Sequence, residues 1–140
     1  MKTVFRANLP PFGLYDMITD RLETNGDSLI MHLPEGLIRN EEPYQVVRGA
    51  VQIEQVDLET SFVYLLAPYA MLGQFSGRKI ELRRFLDEFT WRDFEISNEY
   101  HGRHSVIYKG YFSKFNGEDL VVEAMLEISH YGDIVYETEE

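Results

Sequence analysis

The sequence predicts a mainly β protein, with α+β as the variant: one antiparallel sheet or partly closed barrel, ending in a four-strand meander and carrying one or two short helices. Three observations predict it. Apolar and polar residues alternate over most of the chain from Phe94 to Thr138, the period-two pattern of strands with one face in a core. Turn chemistry interrupts that pattern at Gly102, Asn116-Gly117 and Gly132-Asp133. Aromatic residues make up 14% of the chain, with nine Tyr and nine Phe, and aromatic side chains suit a pleated, half-buried surface.

Taken in order, Thr3 to Leu9 reads as a short strand halted by Pro10-Pro11, because proline has no N–H for a ladder. Leu14, Met17, Ile18, Arg21 and Leu22 recur at helical spacing, so a helix is expected over Leu14 to Thr24, stopping at Asn25-Gly26, a pair that is also a two-residue hairpin signal before Ser28. The competing strand would put Asp16 and Asp20 on the face of Leu14, Ile18 and Leu22. Ser28 to Leu33 follows as a strand, and the polar stretch from Pro34 to Pro43 as a loop.

Tyr44 to Val56 alternates again, with Gly49 inside the pattern marking a bulge or the close approach of another backbone. Phe62 to Ala67 is apolar on both faces, as in a central strand, and Tyr69 to Gly77 ends it. Leu82, Phe85, Leu86 and Phe89 lie on one helical face, predicting a helix over Lys79 to Phe89 with Ser76 as N-cap; an alternating strand over Lys79 to Arg84 is the rival. Four strands close the chain: Asp93 to Tyr100, Ser105 to Phe115, Leu120 to His130 and Ile134 to Thr138. In the third, Leu120, Val122, Leu126 and Ile128 are expected inside, and Glu123 and Glu127 outside.

A single domain is expected over the 140 residues, which show no repeat or linker. Net charge is −11, from 13 basic and 24 acidic residues, which repels nucleic acid and anionic lipid and suits a basic protein partner. With no cysteine, disulfides, thiolate metal sites and cysteine nucleophiles are excluded. The N-terminus has no apolar leader and no run reaches the ~20 residues of a membrane span, so a cytoplasmic location is expected.

No motif assigns an activity. Gly73 to Lys79 mixes glycines and bases but lacks phosphate-loop spacing, although a helix start beside Arg78 and Lys79 would attract an anion. Glu99, His101 and His104 cluster at a turn; a metal would need a further ligand such as His32 or His130, so no metal and no cofactor is expected. No serine sits on a nucleophile elbow, so no catalytic residue is assigned.

The strand from Ser105 to Phe115 is aromatic on both faces, with Ile107, Tyr111 and Phe115 on one side and Tyr108 and Phe112 on the other. A strand apolar on both sides is central in two layers or presents a binding surface. Ile107, Tyr108, Tyr111, Phe112 and Phe115 are therefore the expected binding residues. The expected function is a non-catalytic protein-interaction module, masking a basic partner or self-associating. The alternative is a small-molecule-binding barrel or half-barrel with an apolar pocket, and a third reading makes Glu99 with His101 or His104 an acid–base pair.

Overall fold

The computed structural model describes residues 1–6, 9–66 and 77–139. It is mostly β, with antiparallel sheets, one of them curled into a half-barrel, and one short helix. The elements are β1 (Lys2–Val4), β2 (Phe12–Gly13), β3 (Ile18–Thr19), β4 (Arg21–Asn25), β5 (Ser28–Arg39), β6 (Val46–Ile53), β7 (Phe62–Leu66), β8 (Gly77–Glu81), α1 (Leu82–Glu88), β9 (Trp91–His101), β10 (Ser105–Phe115), β11 (Val122–Ser129) and β12 (Ile134–Thr138). One sheet runs β1-β12-β6-β5-β2, with β4 also on β5, and the other runs β3-β9-β10-β11-β7-β8. Their inner faces share one hydrophobic cluster, in which Met31, Val51, Ile53 and Tyr136 meet Val63, Phe94, Ile96, Val106, Phe112 and Leu126. Among the described residues no helix is long and apolar enough to cross a membrane.

The chain passes between the sheets where local pairing allows it. Ile18 and Thr19 pair with β9, whereas Arg21 to Asn25 pair with β5, so this segment is strand and not the expected helix over Leu14 to Thr24. The face conflict that disfavoured a strand does not arise. Asp16 sits in a turn at positive φ, and the inward phase slips at Asp20, leaving Thr19 and Leu22 inside and Asp20 out. Asn25 pairs with Ser28 across a tight hairpin, so Asn25-Gly26 opens a β-turn instead of ending a helix.

β5 continues through most of the expected loop at Pro34 to Pro43. A register shift between Leu33 and Leu37 places Pro34 in a bulge, where a missing N–H breaks no ladder bond. Gly49 of β6 packs against the Glu137 carbonyl, a close backbone approach. β7 is internal, between β11 and β8; Ala67, the Tyr69-to-Ser76 part of the expected strand exit and the N-cap Ser76 lie outside the described residues. The Lys79-to-Phe89 stretch divides, with β8 running to Glu81 and the helix starting at Leu82 behind Glu81, which makes no side-chain cap. Arg78 and Lys79 therefore belong to a strand and form no helix-start anion site, and Gly73 to Ser76 lie outside the described residues.

β9, β10 and β11 form the meander in register, whereas β12 leaves it to pair with β6 and β1 in the other sheet. The switch occurs at Gly132, where a Cβ would stand 2.8 Å from the Glu54 side chain and 2.9 Å from its backbone. Only glycine lets the chain turn that close to another strand's end. A single bridge between Val56 and His130 ties the same corner. On β11, Ala124, Leu126 and Ile128 are buried, Val122 is half-buried, and Glu123 and Glu127 lie half-buried on the outer face. Leu120 is 53% exposed rather than inside, because it precedes the strand.

Candidate functional site

The ends of strands from both sheets converge at this corner on a cleft of about 500 Å³, lined by Phe5, His101, Gly102, Arg103, His130, Gly132, Asp133 and Ile134. Its central side chain arrives by a backbone irregularity. Lys109 pairs with Asn98, but the next residue, Gly110, pairs with Ile96, leaving Ser97 as one extra residue in β9. Ser97 Oγ donates to the Lys109 carbonyl at 3.1 Å across this bulge. The extra residue inverts the phase: Phe94 and Ile96 face inward before it, Glu99 and His101 after it, while Tyr100 is exposed.

Glu99 and His101 are thereby largely buried, their side chains 15% and 14% exposed. One Glu99 oxygen accepts the Leu14 amide at 3.1 Å, and the other lies 3.2 Å from His101 Nε2. A carboxylate oxygen accepts, so His101 Nε2–H donates to it. The imidazole stacks on Phe5 at 5.0 Å and meets the Tyr108 ring edge-on at 6.4 Å. A carboxylate held by a backbone amide holds in turn a clamped imidazole, so the ring's orientation is fixed from both sides.

His130 Nδ1–H donates to the Gly132 carbonyl at 2.9 Å. The residue is 7% exposed, and Nε2 is buried with no partner among the described residues. At the rim, Asp133 lies 3.9 Å from Arg6, while the exposed Arg103 has no ion pair among the described residues.

Behind the imidazole, Tyr108 is fully buried and its hydroxyl has no partner among the described residues. Burial first, then the neighbouring Tyr136 and Glu99, push its phenol well above the usual tyrosine range. Tyr136 is raised as well, by burial and then by Glu99. Both phenols therefore stay protonated beside the carboxylate.

The five aromatic-strand residues separate. Tyr108 and Phe112 are core, Phe112 touching Phe85, Trp91, Phe94 and Phe115. Phe115 is half-buried and joins that inner group through Phe85 and Phe89, because alternation breaks at Ser113 and Lys114. Ile107 is half-buried and Tyr111 42% exposed; both lie on the outer face, opposite Glu127 and Glu123. His104 is not in the cleft and packs on Tyr131, with ring centroids 5.4 Å apart. His32 faces a different groove, bonded to Glu23 at 2.5 Å. Among the described residues no group of three or more His, Asp and Glu is placed to hold a metal ion.

Glu99, His101 and His130 were visible in the sequence as candidates, but nothing there joined His130 to the pair. Phe5, Arg103, Asp133 and the Leu14 amide carried no sequence signal for the site. No family model, curated protein or solved structure matches the chain.

Proposed function

We propose that the protein binds a small polar molecule in the cleft between the two sheets. The observation that carries this reading is the convergence in one cleft of two fixed imidazoles, His101 bonded to Glu99 and His130 bonded to the Gly132 carbonyl, the second with a buried Nε2 that has no partner among the described residues. Leaving a buried acceptor without a partner costs ~1–3 kcal/mol. Such a cost is tolerated at functional sites, where activity is traded against stability. The cleft's size falls within the roughly 300–1,000 Å³ of small-molecule sites. Its polar lining favours a polar ligand over the apolar one expected from the aromatic strand.

The test is a metabolite screen by protein-observed NMR. A binder should shift the amides of Phe5, His101, Arg103 and Gly132 to Ile134, and His101→Ala should abolish the response in a protein that still folds. Binders that shift only residues elsewhere would refute the reading.

A second reading, interaction with a basic protein, rests on the outer face of β10. There Ile107 and Tyr111 lie beside Glu95, Glu123 and Glu127 in a chain of net charge −11. A partner captured from the source cell at low salt, released at high salt and lost with Tyr111→Ala would support it; equal capture by the variant would remove it.

A further inference from the structure

We propose that the outer face of the sheet β8-β7-β11-β10-β9 is a self-association surface, occupied by a second copy of this chain packed face to face about a two-fold axis along β11. The surface is separate from the cleft, so the proposal stands independently of the ligand reading. Six large apolar side chains make it up: Phe62, Tyr64 and Leu66 on β7, Met125 on β11, and Ile107 and Tyr111 on β10. They alternate with inward residues such as Val63, Leu126 and Tyr108, and belong neither to the shared core nor to the residues packed against it. Strand register joins them into one patch. Phe62 and Ile107 both lie opposite Glu127, and Tyr64 and Lys109 both lie opposite Met125. The helix packs on the other side of the sheet, Phe85 against Phe112, and on the outer side Tyr111 stays 42% exposed.

Area and charge select the occupant. At ~3.3 Å per residue and ~4.8 Å between strands, the roughly forty residues of these five strands make a face of ~600 Å². Two such faces bury ~1,200 Å², the size at which specific interfaces begin. A single helix, ~10 Å wide, would cover less than half of a sheet ~24 Å wide. Stacked sheets keep their strands aligned within ~30°. A two-fold axis along β11 then lays β7 of each copy on β10 of the other, apolar column on apolar column, and β8 on β9. The same exchange brings opposite charges together. Lys79 of β8 stands 4.0 Å from the Phe62 ring centroid, and Glu95 of β9 is exposed; neither has an ion pair among the described residues. Within one copy four strand spacings, ~19 Å, separate them, so they can meet only across the two-fold axis. Near the axis, Glu123 is paired with Lys109 at 3.3 Å and Glu127 accepts from the Tyr64 hydroxyl at 3.3 Å, so both carboxylates are already engaged.

A basic protein held by β10 would use part of the same face, so the two occupants exclude each other there. Sedimentation of the intact chain over a dilution series up to millimolar concentration decides between them, and a reversible dimer is expected. Lys79→Glu should weaken that dimer about tenfold by setting like charges at both edges, and adding Glu95→Lys should restore it. Both positions are exposed, so circular dichroism melts of the variants should match the parent. A monomer throughout the series, whether or not a basic partner is captured through Tyr111, would overturn the proposal. So would a dimer that the single change does not weaken, or that the paired change does not restore. Neither result bears on the cleft.

Discussion

The hydroxyl of Tyr108 is buried in the apolar interior without a hydrogen-bond partner among the described residues, and the ring around it is fully packed. The two parts of the side chain should therefore respond oppositely to mutation. Tyr108→Phe removes an unsatisfied group and should leave the melting temperature unchanged or raise it, whereas Tyr108→Ala should cost ~3–5 kcal/mol by opening a cavity. A marked fall in melting temperature for the phenylalanine variant would show that the hydroxyl has a partner. The raised phenols of Tyr108 and Tyr136 also set an alkaline limit. Above about pH 10 the unfolded chain's tyrosines ionise while these two hold their protons, so the native state binds more protons than the unfolded one. Their contribution is complete below that pH and is lost as pH rises further. Tyr136→Phe should flatten the fall in stability measured by urea unfolding above pH 10. A second residue-scale expectation concerns Glu99: long-range ¹H–¹⁵N spectra should find neutral His101 with its hydrogen on Nε2, and Glu99→Gln should weaken that preference.

At the scale of elements, β10 settles a question that its double aromatic pattern leaves open. Tyr108→Ala and Phe112→Ala should each destabilise by ~3–5 kcal/mol, because both rings are fully buried. Tyr111→Ala, on the outer face at 42% exposure, should cost less than about 1 kcal/mol. Thermal melts of the three variants check the division, and equal losses would mean the outer face is covered. The β9 bulge makes a second element-scale prediction. Opposite it, a Cβ on Gly110 would stand 1.9 Å from the Glu95 carbonyl oxygen. Gly110→Ala must push β9 away, destabilising the fold by ~1–3 kcal/mol and disturbing the strand that aims Glu99 and His101. The amide shifts of Glu99 to His101 should move with the substitution; an undisturbed spectrum would contradict the close approach.

For the whole molecule, one hydrophobic cluster takes side chains from both sheets, and the chain passes between them at Thr19 to Arg21 and again at the Val56–His130 bridge. Among the described residues neither sheet has a separate core. Heat or denaturant should therefore unfold both together, with near-ultraviolet and far-ultraviolet circular dichroism transitions coinciding. Two separated transitions would show that one sheet survives alone. The corner where the chain changes sheets is also where the cleft lies, so ligand binding there should raise the melting temperature of the entire domain.

Alternation and turn residues were enough to determine the β class, the positions of β9 to β12 and the inward phase of Ala124, Leu126 and Ile128, because these depend on neighbours two residues apart. They did not determine which sheet β12 joins or that Ile18 and Thr19 are strand, since both follow from pairing with distant strands, at Val51 and at Glu95. Helical spacing over that segment was a coincidence of a turn at Asp16 and a phase slip at Asp20. The cleft lies furthest beyond sequence. Period two places Glu99 and His101 with the outward set of Glu95, and only the extra residue at Ser97 turns them inward. Phe5, His130 and Asp133 reach the same place because two sheets end at one corner. A bulge and a change of sheet are decided by the packing of the two layers, which no local spacing encodes.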